Sequence, residues 1–288
     1  MKTWWNTAGR QDPWVRTGTR TAAWPLALLA AVLLVALLAG PARAADPPAQ
    51  HTLGAAHGER LTFNIHWQGV PAGRGTLAFD RAGEQDFVLT ATLNSAGAVD
   101  LFFKVEDVVT ARGVVDARGL SSRHYLKTQL EGRLRRRSEC TFDRQADRVT
   151  CQVNQEAPEI IEGIAGNVND PITTLYLIRA HLDFAPGATL YIPLLDGKKW
   201  YMARVDIGQP ERKFTPLGWF DVIPVHPQLK TSQLFRHRGG ITVWLTNDDR
   251  RMPVRVETKV RIGAVAADLV GYADGRGGRA TLHEQPKP

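Results

Sequence analysis

Asp248 and Asp249 stand side by side in the stretch WLTNDDRRMPVRVE, behind Trp244 and ahead of Arg250 and Arg251. Two neighbouring carboxylates are what general acid–base chemistry asks for, provided their surroundings hold one protonated and the other ionised. The flanking pattern argues for a different job. Ile241, Val243 and Leu245 alternate with polar residues on one side; Val254, Val256, Thr258, Val260 and Ile262 alternate with Arg255, Glu257, Lys259 and Arg261 on the other. These are half-buried strands, the second about nine residues long, so Thr246 to Arg250 must reverse the chain between them. Asn and Asp suit reversals because their side chains hydrogen-bond nearby backbone N–H groups and tolerate left-handed geometry. Adjacent residues at a reversal also rarely aim both carboxylates at one reacting centre.

Other catalytic constellations are missing from the linear sequence. Beyond residue 44 there are five serines, none in GxSxG or SxxK, so no serine nucleophile has a supporting motif. The eight histidines are scattered from His51 to His283 without HExxH or zinc spacing, and His226 between Pro224 and Pro227 reads as a strand-end residue. No phosphate- or dinucleotide-binding glycine loop occurs. The run Arg133, Arg135, Arg136, Arg137 is the sharpest charge feature. On a strand, Arg133, Arg135 and Arg137 share a face and present three guanidinium groups to an anion; the plainer account is a solvated face balanced by Glu131 and Glu139.

Cys140 and Cys151 flank the polar turn Arg144-Gln145-Ala146-Asp147. If Asp143 pairs with Arg148, antiparallel counting sets Phe142 against Val149 and Cys140 against Cys151. Cross-strand Cβ atoms on one face are roughly 4.5–5.5 Å apart, which a disulfide needs to close only slightly. Neither CxxC spacing nor a nearby histidine cluster supports the redox or metal alternative. A disulfide implies an oxidising compartment, and the N-terminus agrees. Trp24 to Gly40 is an uncharged apolar run preceded by Lys2, Arg10, Arg16 and Arg20 and followed by Ala42-Arg43-Ala44. That is the anatomy of a signal peptide over residues 1–44; as a membrane anchor, the competing reading, it is at the short end. Its removal takes away five basic and one acidic residue, leaving 31 basic against 28 acidic, and lowers the formal charge from +7 to +3. Polyanion binding, including nucleic acid, thereby loses most of its support.

The remainder divides into a linker (45–58), one β-rich domain (59–272) and a polar tail (273–288) expected to be disordered. Leu61, Phe63, Ile65 and Trp67 open a series of short alternating segments, including DFVLTATLNS, KVEDVVTARGVV and SSRHYLKTQLEG, separated by turn residues. One helix is signalled, at about residues 170–182: Asp170 caps, Pro171 takes the first helical position, and Ile172, Leu175, Tyr176, Leu177 and Ile178 are apolar nearly all round, which suits the inside of a curved sheet. YIPLLDGKKWYMARVDI reads as a hairpin turning at Asp196-Gly197. Leu101, Phe102 and Phe103 in AGAVDLFFKVED are a flap over a hydrophobic cavity or a short helix plugging the barrel end. Trp67, Tyr176, Trp200, Trp219 and Trp244 are candidates for the same interior.

FNIHWQGVPAGRGTLAF, NDPITTLYLIR, LLDGKKWYMARV, TPLGWFDVIPVHP and RGGITVWLTNDDRRMPVRVETKVRIGAVAADLVGY resemble, in order and from roughly Arg60 to Tyr272, the bacterial exported family known as domain of unknown function 3108 (DUF3108). The resemblance implies relatives but no reaction. At fold level the pattern also looks like the half-barrel of periplasmic lipoprotein carriers. The expectation is therefore a mainly β periplasmic protein, a curved antiparallel half-barrel or barrel around an internal helix. A concave interior lined by Trp67, Leu101, Phe102, Phe103, Tyr176 and Trp244 would hold a lipid or other hydrophobic envelope component without catalysis. The alternative is a scaffolding envelope protein with a filled core that binds a protein partner, and the third reading is an envelope hydrolase. No cofactor, metal, nucleic acid or membrane span after signal cleavage is expected.

Overall fold

Segments that alternate apolar and polar side chains must bury one face, and consecutive short ones do so most simply as an antiparallel sheet. The computed structural model describes residues 55–116, 119–166, 168–180, 184–228, 240–259 and 263–281, and within them sixteen strands form one sheet. The first eight make a meander: β1 (Glu59–Trp67), β2 (Val70–Arg81), β3 (Asp86–Ser95), β4 (Val105–Asp116), β5 (Gly119–Glu131), β6 (Leu134–Asp143), β7 (Arg148–Val153) and β8 (Glu159–Glu162), with a short helix α1 (Ala98–Phe102) between β3 and β4. Helix α2 (Pro171–Ala180) then leads to β9 (Thr189–Asp196), β10 (Lys199–Ile207), β11 (Glu211–Thr215), β12 (Gly218–Gln228), β13 (Ile241–Thr246), β14 (Pro253–Lys259), β15 (Ala264–Ala273) and β16 (Arg279–Thr281).

The spatial order is β8-β7-β6-β5-β4-β3-β2-β1-β15-β14-β13-β12-β10-β9, with β11 on β12 and β16 on β15. The expected curved antiparallel sheet around a helix is what forms, and it is open rather than closed into a barrel. Because β8 and β9 are opposite edges, the chain between them has to cross the sheet, and α2 is the crossing segment. It packs on β3, β4, β5 and β9. The tip of the β9–β10 hairpin reaches over to β6, where the Gly197 carbonyl oxygen lies 3.5 Å from Cys140 Sγ.

The sequence around Asp170 explains how α2 is seated. Asp170 Oδ1 accepts from the Thr173 N–H (2.9 Å), and Oδ2 accepts from Thr173 Oγ1 and from Ser122 Oγ on β5 (both 2.7 Å). Asn169 Oδ1 accepts from the Ser122 N–H (2.7 Å) and from Arg144 Nη2 (2.9 Å). The cap thus also fastens the helix start to the sheet. At the far end, buried Arg179 grips Glu59 on β1 through both nitrogens (2.8 and 2.6 Å), while Tyr176 donates to the same carboxylate (3.0 Å). Its Nε and Nη2 reach the Arg251 and Arg250 carbonyls (2.9 and 3.1 Å). All the charged groups of this buried pair therefore have partners, as buried ions require.

Those two carbonyls belong to the reversal between β13 and β14. Asp248 Oδ1 accepts from Thr246 Oγ1 (2.6 Å) and from the Arg250 N–H (3.1 Å), and Arg251 ends the turn at φ 42°. In the cysteine hairpin the register pairs Asp143 with Arg148, Phe142 with Val149 and Cys140 with Cys151, and the two sulfurs are bonded. Three boundaries differ from the sequence reading. The β9–β10 loop residues are Gly197 and Lys198, since Asp196 pairs with Lys199. Arg279–Thr281 of the presumed tail form β16, because Tyr272 and Ala280 pair on the flank of β15. The last linker residues are pinned: Ala55 is in the core and the Gly58 N–H donates to the Phe79 carbonyl at 3.1 Å. The expected signal peptide, residues 181 and 182 of the expected helix and residues 260–262 of the expected strand lie outside the described residues.

Candidate functional site: the sheet interior and the α1 rim

The concave side is filled. Ile172 and Tyr176 of α2 join the largest apolar cluster, with Tyr176 stacked 5.7 Å from Phe79, while Ile178 joins a second cluster against β9, β10, β12 and β13. Between α2 and the sheet lies an apolar cavity of about 60 Å³ bounded by residues such as Phe63, Ile65, Leu93, Leu175 and Val256. Ligand pockets run to roughly 300–1,000 Å³.

The aromatic residues expected to line one interior site are dispersed. Trp67 and Phe103 both pack against the small cluster of Ile65, Ala72, Leu93, Val105 and Val265. Tyr176 is held in the Glu59–Arg179 network. Trp244 is buried under the β11 side, donating its indole N–H to Glu211 Oε1 at 2.5 Å with Lys213 Nζ 3.9 Å over its ring. Trp200 and Trp219 are exposed. Leu101 and Phe102 line nothing: α1 is a short helix, as one of the two readings had it, but it carries these side chains outward at 83% and 89% exposure. A five-residue helix has only one buried side, and Val99 and Phe103 occupy it.

The interior also holds a polar group that the sequence reading missed. On β5, Tyr125, Lys127 and Glu131 are buried on the concave face with Gln129 beside them, while the Leu126 and Leu130 face is only partly covered. The ladders set Asp107 of β4 opposite Gln129, Ser138 of β6 opposite Lys127, and Arg136 opposite Gln129. Asp107 Oδ1 accepts from the Leu130 N–H (3.1 Å), and Glu131 Oε1 accepts from Gln129 Nε2 (2.8 Å). Asp107 Oδ2 has no hydrogen-bond partner among the described residues, and two neighbouring buried carboxyls disfavour each other's charge. Burial is the main cause, and the Asp107 charge adds to it: the Glu131 carboxyl is pushed up to about 7. Asp107 and Asp196, the last residue of β9, are likewise raised by burial, while Lys127 is lowered by burial against the pull of Asp196, Asp107 and Glu131. The alternation of YLKTQLE marks the strand but not which of its two faces turns inward.

Directly above this cluster is the rim formed by α1 and the β5–β6 turn. Gly132 sits at φ 55° with its N–H donated to the Lys104 carbonyl (2.8 Å), and any Cβ there would meet the Phe103 ring at 2.7 Å. The two connections are thereby locked together. Arg133 lies in the turn, not on the strand; Arg135 Nη1 donates to the Gly132 and Leu134 carbonyls (both 2.8 Å), and Arg137 pairs with Glu139 at 2.5 Å. The three guanidinium groups therefore do not converge on one point. Beside α1, where β1, β2 and β3 end, a groove of about 570 Å³ is bounded by Asn64, His66, Pro71, Arg74, Asn94 and Ser95.

Asp248 and Asp249 are not near this region. Asp248 Oδ2 also accepts from Arg250 Nε and Nη2 (2.9 and 2.6 Å), and Asp249 pairs with Arg276. The Asp248 carboxyl is lowered by Arg250 and Thr246 against the opposing effect of burial, the mark of an ionised turn residue. Among the described residues no group of three His, Cys, Asp or Glu is placed to hold a metal, and no helix is long and apolar enough to cross a membrane.

The model of the protein family of unknown function DUF3108 matches residues 62–270. A beta-barrel-like protein of domain of unknown function DUF1849 from Brucella abortus has a solved structure that superposes with TM-score 0.52 at 10% identity, over 75% of this chain and 97% of that one. That likeness is one of fold alone. A hypothetical protein of Chlamydia trachomatis (7% identity, 82% and 95% covered, TM-score 0.35) and an exported protein with YmcC-like fold from Bacteroides fragilis (14%, 77% and 98%, TM-score 0.29) are more distant in shape. No curated protein matches the sequence.

Proposed function

This chain belongs to the DUF3108 family, whose description carries no activity, and on that footing we propose an exported, non-enzymatic envelope protein that works through its surface. Its curved sheet is then a scaffold rather than a container. The observation that carries this reading is the packed interior: among the described residues α2 fills the inside of the sheet, and the apolar cavity beside it has a volume of about 60 Å³. Export and a periplasmic address are supported by the N-terminal apolar run and by the Cys140–Cys151 bond, which suits an oxidising compartment. A lipid binder is the second reading, favoured by the groove of about 570 Å³ beside α1, a volume within the ligand-pocket range.

Two measurements on the full-length chain expressed in a Gram-negative host decide the matter. Osmotic-shock release of a species beginning at Ala45 is expected; retention in the cytoplasm with an intact N-terminus overturns the exported reading. Mass spectrometry of the denatured, solvent-extracted protein is expected to find no stoichiometric lipid. A lipid at one equivalent would replace the scaffold with the lipid binder.

A further inference from the structure

The rim around α1 combines two features that a solvated loop has no use for. Four large apolar side chains are exposed along it: Val70 (53%) at the start of β2, Leu101 (83%) and Phe102 (89%) on α1, and Leu134 (43%) at the start of β6. The Ala96 N–H to Ala72 carbonyl bond (3.0 Å) and the Gly132 to Lys104 bond (2.8 Å) tie these three connections into one edge. Interleaved with them are Lys104, Arg133 and Arg135, with Lys259 at the end of β14 on the same rim. Of the rim's acids, Asp100 accepts from Ser95 Oγ (2.5 Å), while exposed Glu106 pairs with Lys104 (2.7 Å), so that Arg133, Arg135 and Lys259 carry the positive charge of the edge.

We propose that this rim is a docking surface for an anionic phospholipid bilayer, with Leu101 and Phe102 entering the acyl boundary and Arg133, Arg135 and Lys259 meeting the phosphates. Apolar tips flanked by cations match a surface that is apolar below and negative above. A protein groove would offer an apolar seat but no reason for cations flanking it. The clamp of Gly132 against Phe103 holds the helix rigid, so little order is lost when it inserts. This proposal rests on the surface-acting reading above and names its partner.

The soluble form obtained from the full-length chain is mixed with vesicles of phosphatidylcholine alone or with an equal part of phosphatidylglycerol, and co-sedimentation is measured. Binding to the anionic vesicles is expected, falling several-fold in raised salt. Leu101→Asp with Phe102→Asp is expected to lower the partition coefficient about tenfold or more. Arg133→Glu with Arg135→Glu is expected to abolish the preference for phosphatidylglycerol. Both pairs of positions are exposed, and an unchanged melting curve verifies that the variants fold. No binding to anionic vesicles, or equal binding by wild type and the Leu101/Phe102 variant, overturns the proposal, as does a rim that captures a protein while ignoring vesicles. Export is read separately by the fractionation, so a periplasmic protein that ignores vesicles sinks this inference and leaves the scaffold reading standing.

Discussion

Glu131→Gln should flatten the dependence of stability on pH. The folded protein holds the Glu131 carboxyl at about 7, against 4.5 when it is free in an unfolded chain, because it is buried and lies beside the Asp107 charge. The folded state therefore binds the proton more tightly. Below about 4.5 both states are protonated and this group's contribution is fully present. As the pH rises towards 7 the unfolded chain releases its proton first, and the contribution is lost. A rise from 4.5 to about 7 corresponds to about 3 kcal/mol between pH 4.5 and 8. Lys127, Arg136, Asp196 and Tyr125 face the same space, but their effects are common to wild type and variant and largely cancel in the difference. Glutamine keeps the volume and offers the buried Asp107 carboxyl an N–H donor. Urea unfolding of both proteins at intervals from pH 5 to pH 8.5 is the assay. The wild-type stability is expected to fall by about 2–3 kcal/mol more than that of the variant across this range, with the variant at least as stable at pH 8. Parallel curves would refute the raised Glu131 carboxyl.

Two further substitutions test the frame. Arg179→Ala strands the Glu59 carboxylate in the core and is expected to cost about 3–5 kcal/mol by urea unfolding, whereas Arg179→Met with Glu59→Leu removes both charges and should recover most of the loss; a cost below about 1 kcal/mol for Arg179→Ala would deny that the pair is buried. Opening Cys140–Cys151, which spans a sequence separation of 11, is expected to lower stability by about 2–3 kcal/mol when unfolding with and without reductant is compared. Thiol labelling of the unfolded, unreduced protein is expected to find neither cysteine reactive.

Local chemistry made much of the fold legible. Antiparallel counting from Asp143 and Arg148 placed the cysteines opposite one another because register in a tight hairpin is set by the turn. Asp170-Pro171 announced α2 because a cap and a first-turn proline have no better use. The reversal at Asp248 was read correctly for the same reason. What stayed hidden depends on contacts between distant segments. Lys127 and Glu131 alternate with Leu126 and Leu130, and nothing local says which face turns inward; the cluster with Asp107, Arg136 and Asp196 arises only when the β9–β10 tip folds over β6. Trp244 was covered by β11, a strand the sequence reading did not isolate. Leu101 and Phe102 looked like cavity lining because exposed apolar pairs are rarely expected.

The pairing of β1 with β15 has a consequence for how the chain reaches this state. Leu61 lies opposite Tyr272, so the seam joins residues more than two hundred positions apart. Such a closure is a slow step in a topology of high contact order. Until the last long strand arrives, β1 presents an unsatisfied ladder beside a half-assembled apolar core, the condition in which chains pair with one another. A cell that synthesises this molecule has to shelter the leading strand through nearly the whole of its production. A circular permutant with new termini between β8 and α2, whose flanking strands β8 and β9 are opposite edges of the sheet, would make the seam a short-range contact without splitting a hairpin and is expected to fold faster.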